Sequence, residues 1–500
     1  MNLKVSNSGI GIVHRRKELW AEDRGESSTT DILILFLNLS GIVHRPMTIG
    51  TLPDDILLEI FDFYMHGANG YDWWQKLVYV CRRWRNVVFA SPHRLNLQLL
   101  CTRTRSAKRM LDLWPELPII IQDGGWPNTV EGADNVAAAL ELNDRVTRID
   151  LCDVSSSQLE RFMAMMQVPF PTLTHLLLGP FDEMAPVISD WGGFAPRLQT
   201  LWLECVPFPA LPKLLSTTTD LVDLCLFNIP HSGYISPEVM VTCLSALTRL
   251  KSLTLRSQSP RSRPDRVRRL PPPATRPILH ALTRLHFAGD TEYLEDLVVQ
   301  IDVPLLESIS ITFFNHVVFD ILELPKFLRR TKTFTGLDQA KVSFYERSIS
   351  IELSRQSGAD TARLQLAISC RNLDWQVSSL AQVCNLALPT LSALEHLSLG
   401  PNTDGPGLDL VPGQDDIENT QWLDFLRPFT KVKNLHLSKQ VAPCVAPALK
   451  ELTGERVTEV LPALQNVFLD GFEVSRPVEE AIEQFSAARQ LSGCPIAIHR

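Results

Sequence analysis

From residue 146 onward the apolar positions recur as a triplet, apolar-x-x-apolar-x-apolar. Its last two members have the two-residue spacing of a half-buried strand. Neighbouring copies begin roughly 23 to 38 residues apart, except across one longer interval, and helix-like sequence separates them. The copies begin at Val146, Leu173, Leu198, Leu221, Leu250, Leu282, Leu306, Leu394, Val432 and Leu464. A strand plus a helix has an apolar face that it cannot bury alone, so this pattern predicts stacked repeats with one continuous core.

The longer interval lies between the copies that begin at Leu306 and Leu394. It has room for about three more units. Candidate strands inside it are Val342-Ser-Phe344, Ile349-Ser-Ile351 and Leu364-Gln-Leu366. The alternation of strands and helices predicts an α/β fold, and a doubly wound sheet would share that alternation. The pattern therefore leaves two architectures open, a repeat solenoid and a doubly wound sheet.

A different pattern, of helical period, occupies residues 51–95. Thr51 is a suitable N-cap for a first helix, Pro53 suits its first turn, and two acidic residues follow at its positive end. Leu58 and Phe63 lie off the main apolar stripe, so this helix is apolar on more than one side. The stripe itself consists of Ile56, Leu57, Ile60, Phe61 and Tyr64.

A second helix is predicted after the turn at Gly67–Gly70, and Ser91-Pro92 ends it. Its apolar positions are Leu77, Val80, Cys81, Trp84, Val87 and Val88. Leaving five such side chains in water would forfeit roughly 7–15 kcal/mol. This segment is therefore expected either to bind another polypeptide or to pack as a helical hairpin on its own chain.

The residues of this segment resemble an F-box. The resemblance rests on Leu52-Pro53, the following apolar stripe, the run Val80–Arg85 and Ser91-Pro92, and it covers about 45 residues. It implies docking on the Skp-type adaptor of a cullin–RING ubiquitin ligase. The turn from His66 to Tyr71 departs from the family in being longer and richer in glycine. Carried over by motif position, the adaptor-contacting or supporting residues are Leu52, Pro53, Ile56, Leu57, Ile60, Phe61, Leu77, Val80, Cys81, Trp84 and Val87.

The triplets resemble irregular leucine-rich repeats. They depart from that family because the usual Asn or Cys after the last apolar position is replaced, for example by Val154 and Phe181. The stretch from Gln414 to Leu435, together with the tail Ala487–Gly493, also resembles a large fungal family of F-box proteins. The resemblances imply an α/β chain with an N-terminal helical F-box followed by a leucine-rich-repeat-like solenoid, one strand and one helix per unit.

Four regions are predicted along the chain. Residues 1–46 form a poorly ordered leader, 47–95 the F-box, 96–145 a connector of helices and strands, and 146–500 the repeats. Within the connector, helices are expected at 102–114 and 133–143 and a strand at 117–121. The segment 256–277 is rich in Arg and Pro and is predicted to be a disordered loop inserted between two repeats. A helix at 479–490 and a strand at 495–498 are expected to cap the end of the stack.

Composition narrows the choice of partners. The net charge of −8 argues against nucleic acid as the main partner, and the apolar run at 31–43 is too short to span a membrane. The ten cysteines are scattered without CxxC spacing, which is typical of free thiols in a reducing compartment. A cytoplasmic or nuclear location is therefore expected.

No familiar catalytic motif occurs in the sequence. His280 and His286 lack further ligands at metal spacing, and Asp415-Asp416-Glu418 reads as the first turn of a helix that ends near Arg427. Trp73-Trp74 and Cys81 are interpreted as packing residues. We therefore predict no catalytic residues, cofactor or metal, although a hydrolase with an unfamiliar site stays open.

The leading functional hypothesis from the sequence is a substrate-recognition subunit of an SCF-type ligase. The N-terminal helices would bind the Skp-type adaptor, and through it a cullin scaffold, while the repeats would bind an unidentified target protein. The alternative is a freestanding repeat scaffold with no link to a ligase.

Overall fold

The computed structural model divides into two compact units, residues 1–99 and 100–500. It describes residues 49–67, 73–102, 107–122, 130–182, 187–188, 194–258, 275–314, 321–355, 362–370, 373–401, 418–470 and 476–500. The first unit, called the helical unit below, contains three α-helices in its described part. The second, called the repeat unit, contains a long mixed sheet and a layer of helices.

The helical unit is built from α1 (Asp54–Gly67), α2 (Trp73–Val78) and α3 (Arg82–Ala90). Phe61 and Trp84 make an edge-to-face contact, with ring centroids 4.9 Å apart, that joins α1 to α3. Trp74 is fully buried and its indole N–H donates to the carbonyl of Gln98 at 2.9 Å. Leu57, Leu77 and Val88 complete the small core.

Two details of the sequence interpretation are wrong here. The first helix begins at Asp54, and its first turn is closed by the Leu57 N–H donating to the Pro53 carbonyl, so Pro53 rather than Thr51 occupies the N-cap position. The single second helix is two helices, because Cys81 has extended backbone (φ −158°, ψ 169°). Its Sγ accepts the Trp84 N–H at 3.5 Å and starts a new helix, which ends before Ser91 as predicted.

The repeat unit contains a sixteen-stranded sheet among its described residues. The strands are β1 (Leu99–Cys101), β2 (Ile119–Gln122), β3 (Val146–Val154), β4 (His175–Pro180), β5 (Thr200–Glu204), β6 (Asp223–Ile229), β7 (Ser252–Ser257), β8 (Arg284–Gly289), β9 (Ser308–Phe314), β10 (Gln339–Tyr345), β11 (Ser348–Ser354), β12 (Arg363–Ser369), β13 (His396–Pro401), β14 (Asn434–Ser438), β15 (Asn466–Asp470) and β16 (Ala497–His499).

The helices of the repeat unit follow one another as a layer. They are α4 (Ala107–Leu113), α5 (Val130–Leu140), α6 (Ser156–Met165), α7 (Leu211–Leu215), α8 (Pro237–Ala246), α9 (Thr291–Val298), α10 (Leu324–Arg330), α11 (Leu373–Ala387), α12 (Asn419–Leu426), α13 (Ala442–Lys450) and α14 (Arg476–Leu491). Helices α4 to α6 contact in succession, and so do α7 to α14. Within each of these two runs the helices therefore pack on their chain neighbours, as stacked repeats require.

The strand order confirms the repeat prediction in its coarse form. Strands β2 to β9 pair in parallel in chain order, and so do β13 to β16. A doubly wound sheet grows outward from a central switch point, whereas in the described part of this sheet the first and last strands lie at opposite edges. All members of the predicted triplets are buried, and the last two members of each lie inside a strand.

The prediction of about three further repeats between β9 and β13 is wrong. Its three candidate strands exist, as β10, β11 and β12, but they are not three further repeats. The order across the sheet is β9-β12-β11-β10-β13, and β11 runs antiparallel to both of its neighbours. Only Glu346 and Arg347 connect β10 to β11, which leaves no room for a crossover helix. The chain therefore turns back and pairs antiparallel with itself.

The remaining expectations are met unevenly. Helices α4, α5 and α14 overlap the predicted ones, and β1 and β2 precede the first predicted triplet in the same sheet. Within the segment 256–277, Arg256 and Ser257 end β7 instead of belonging to a loop, and 259–274 lie outside the described residues. The leader 1–46, most of the turn after α1, and the acidic pair 415–416 also lie outside them. In the described part, no helix is long and apolar enough to cross a bilayer.

Candidate functional site

The helical unit exposes large apolar side chains. Ile56 is 46 % exposed, Val80 is 58 % exposed and Tyr79 is 69 % exposed. Phe63 and Tyr64 on α1 are exposed too. Burying one such side chain stabilises a complex by roughly 1.5–3 kcal/mol, so a cluster of this kind is typical of a protein–protein contact.

The predicted adaptor-contacting residues fall into three classes of exposure. Leu57, Phe61, Leu77 and Val87 are buried in the core of the helical unit. The half-exposed ones are Leu52, Ile60 and Trp84, and the exposed ones are Pro53, Ile56, Val80 and Cys81. The buried members therefore hold the helices in place, whereas only the exposed and half-exposed members are accessible to a partner.

An ion pair joins the starts of α1 and α3, the two places where the exposed members occur. Arg83 at the start of α3 contacts Asp54 at the start of α1, with Nη2 and Oδ1 2.6 Å apart, and also donates to the Leu52 carbonyl. Val80 and Cys81 directly precede α3, and Ile56 lies in the first turn of α1. We call Pro53, Ile56, Val80 and Cys81 the apolar patch.

The repeat unit exposes a different kind of surface. In β9, Ile309, Ile311 and Phe313 are buried, whereas Ser308, Ser310 and Thr312 stay partly exposed. Strands β12, β13 and β14 alternate in the same way. Because successive side chains of a strand point to opposite faces, one face of the sheet packs on the helices and the other, called the open face, carries mostly polar side chains.

Toward its N-terminal half the open face carries an aromatic group. Trp202 of β5 and Phe227 of β6 stack with centroids 6.2 Å apart. The Arg256 guanidinium of β7 lies 4.6 Å from the centre of the Phe227 ring. This is a cation–π contact, which fixes the arginine over the sheet.

The middle of the open face carries two arginines. Arg284 of β8 and Arg363 of β12 lie in one row with Ser308 of β9 between them, because both pair with Ser308. His286 lies two residues beyond Arg284 on the same face and is exposed. Partial burial and then the positive charges of Arg284 and Arg363 lower the pKa of His286 below its usual value. The positive charges of both guanidinium groups therefore lie close enough to His286 to disfavour its protonation.

The C-terminal end of the open face carries two ladders of side chains. His436, Phe468 and His499 stack in succession, with centroid distances of 4.3 and 4.5 Å. In the neighbouring row, two residues earlier along the same strands, the Asn466 amide donates to Asn434 Oδ1 at 2.8 Å, and Asn434 Nδ2 lies 3.1 Å from His396 Nδ1. These contacts order the open face across β13 to β16.

A cavity of about 80 Å³ opens where β6, β7 and β8 end. Phe287, Tyr234 and Tyr293 form its aromatic wall, and Arg256 lies at its polar side. Burial and the neighbouring Tyr234 phenol raise the pKa of Tyr293, so its hydroxyl stays protonated at neutral pH.

The residues considered for chemistry lie apart from one another. His286 lies in β8, whereas His280 lies in the preceding turn, and within the described ranges no group of three metal-ligating side chains converges. All ten cysteines are free thiols, and burial raises the pKa of Cys101 to about 11. Trp73 and Trp74 are buried.

The open-face residues were not among the predicted site residues, although the triplet contains the signal for them. The variable position between its last two apolar members is Ser310 in β9 and His286 in β8. Those positions face away from the core once the strand register is known. The neighbours across the sheet, such as Arg363 beside Ser308, depend on the strand order and cannot be read from spacing.

The comparisons with known proteins leave the family open. No protein-family model matches the chain, and no curated protein matches it. Among solved structures, it is similar to the leucine-rich repeat-containing protein LegL7 from Legionella pneumophila, at 12% identity over 78% of this chain and 97% of that one. The TM-score is 0.24, which is too low to establish a shared fold.

Proposed function

We propose that this protein is a substrate-recognition subunit of an SCF-type ubiquitin ligase. The helical unit would bind a Skp-type adaptor, and the repeat unit would bind a target protein. The observation that carries this proposal is the apolar patch, where Ile56 and Val80 remain in water beside a well-packed Phe61–Trp84 core. The F-box resemblance of the same residues supplies the identity of the partner.

The two surfaces suit two separate tasks. An apolar patch of this kind favours a stable contact, because its burial is driven by the release of water. The open face offers polar and charged side chains at regular spacing, which favours discrimination between partners. In this role the protein itself makes no covalent bond: it raises the rate by holding a target lysine near a ubiquitin-charged enzyme.

The adaptor contact is tested by an Ile56→Asp/Val80→Asp variant. Both side chains are exposed, so the charges cost little in the free protein but must be desolvated on binding. A pull-down with purified Skp-type adaptor should recover wild type and lose the variant by about a hundredfold. The matched control is Leu322→Asp/Leu491→Asp, which changes two exposed leucines of the repeat unit. Equal recovery of wild type and variant would contradict the ligase function.

A second candidate function is a freestanding scaffold that binds partners through the repeat unit alone. The ordered open face favours it, because that surface is complete without the helical unit's patch. The same pull-down separates the two functions, since a scaffold would leave the adaptor in solution. Adding a labelled cullin complex would then give no ubiquitin transfer to any bound partner.

A further inference from the structure

In the middle of the open face, charged residues of both signs occupy fixed positions across neighbouring strands. Reading across the sheet in one row, Asp223 of β6 is followed by Ser252, Arg284, Ser308 and Arg363. Glu352 of β11 lies just beyond Arg363. The order along the row is therefore acid, serine, arginine, serine and arginine, and Glu352, which pairs with Gln365 in the sheet, contacts the second arginine.

The two acids lie on the outer sides of the arginines. Glu352 holds Arg363 through two contacts, Nε to Oε1 at 2.6 Å and Nη2 to Oε2 at 2.7 Å. Arg284 Nη2 lies 3.8 Å from Asp223 Oδ1, which is longer than a hydrogen bond. Arg363 is thus oriented by its partner, while Arg284 keeps N–H groups for another acceptor.

The gap between the arginines is two strand spacings wide and has a floor of short side chains. Adjacent strands lie about 4.8 Å apart, so the Cα atoms of Arg284 and Arg363 are separated by about 10 Å. The floor between them is Ser308 and Ser310, whose side chains are short. His286 borders the gap on the Arg284 side, and Gln365, which contacts Ser310 at 3.3 Å, borders it on the other.

We infer that this gap, formed by Arg284, His286, Ser308 and Arg363, binds a carboxylate side chain from an acidic segment of a partner protein. The carboxylate would complete an alternating row of acids and arginines, with an N–H donor on each side of it. Charge complementarity identifies the occupant, because arginines border the gap on both sides and Arg284 lies too far from Asp223 to hydrogen-bond it. The inference deepens the proposed function by naming the chemistry of the target, but it concerns the repeat unit only.

The test uses the full-length protein and a fluorescein-labelled peptide of four Glu-Ser-Gly repeats, followed by fluorescence anisotropy. Wild type should bind it with a Kd tighter than about 1 mM, and more weakly as salt rises. The matched peptide with Gln in place of Glu should not bind. Failure of wild type to bind the Glu peptide, or equal binding of the Gln peptide, would overturn the inference.

The variant Arg284→Ala/Arg363→Ala should bind the Glu peptide at least about tenfold more weakly, because it removes both charge-assisted contacts. The matched control is Arg161→Ala/Arg249→Ala. Those arginines are similarly exposed, and each pairs with an aspartate, Asp134 and Asp220, away from the gap. Equal weakening of control and variant would mean that only net charge matters and would refute a defined site.

A charge-reversed variant keeps the test decisive should the alanine variant lose structure. Arg284→Glu/Arg363→Glu should reject the Glu peptide and prefer a matched Lys-Ser-Gly peptide, provided its circular dichroism is that of wild type. The adaptor pull-down does not involve these residues. Wild type that binds the Glu peptide but not the adaptor would therefore contradict the ligase function alone. Wild type that binds the adaptor but not the Glu peptide would contradict the carboxylate site alone.

Discussion

The helical unit and the repeat unit use their apolar side chains in opposite ways. In the repeat unit the apolar members of each strand are buried and the exposed positions are mostly polar, as in β9 and β14. In the helical unit, Ile56, Phe63, Tyr79 and Val80 are left in water although the unit is small. A short helical segment has too little interior for all of its apolar side chains, whereas a stack of repeats buries the alternating apolar side chains of its strands.

This difference indicates two kinds of binding in one chain. Contact through the apolar patch should depend weakly on salt, since water release drives it. Contact through the central open face should weaken with salt, since exposed charges are screened over about 10 Å at moderate ionic strength. Substitutions of the residues that hold each unit together test whether the two units differ in this way.

The largest effect is expected from Phe61→Ala in the helical unit. Phe61 is fully buried against Trp84, and its truncation should lower the stability of that unit by about 3–5 kcal/mol. Hydrogen exchange should then rise in α1 to α3 and stay unchanged in β13 to β15. Faster exchange in both units would contradict their separate stabilities. Phe344→Ala, which truncates a buried side chain of β10, is the control for the repeat unit.

A smaller loss is expected from Glu295→Ala in the repeat unit. Glu295 of α9 is buried, and its carboxylate accepts the N–H groups of Leu322, Glu323 and Leu324 at 2.8, 2.6 and 2.9 Å. It therefore caps the start of α10 from a neighbouring helix. Its removal should cost about 2–3 kcal/mol in urea unfolding. Glu160→Ala, on the exposed side of α6, should change stability by less than about 0.5 kcal/mol.

A still smaller effect is expected from Asn434→Ala on the open face. This change removes the acceptor for the Asn466 amide and the contact with His396, both of which are partly exposed to water. The unfolding free energy should fall by about 1 kcal/mol. The adjacent stack of His436 on Phe468 should persist, which histidine ring resonances would report. An unchanged free energy would show that the amide ladder orders the face without stabilising it.

The extent of prediction from sequence differs between the units for a physical reason. The triplets predict the core of the repeat unit because burial in a parallel strand follows local spacing, as at Leu435 and Leu437. The reversal at β10 to β12 was missed because the turn at Glu346-Arg347 carries no Gly or Asn signal. The break at Cys81 was missed because cysteine is a weak cap and its neighbours keep helical spacing. The gap between Arg284 and Arg363 forms only because β12 lies beside β9, so no local sequence pattern predicts it.

The smallest effect is expected at the helix cap formed by Cys81, which makes fewer hydrogen bonds than the cap formed by Glu295. Both residues cap the start of a helix, but Glu295 offers a carboxylate to three N–H groups, whereas the Cys81 thiol receives only the long contact from Trp84 N–H. Serine is a preferred N-cap, so Cys81→Ser should exceed Cys81→Ala in unfolding free energy by about 0.5 kcal/mol. Both variants remove a similar apolar surface, so adaptor binding should respond equally to both. Equal stability of the two variants would mean that apolar packing, and not its cap, fixes the start of α3.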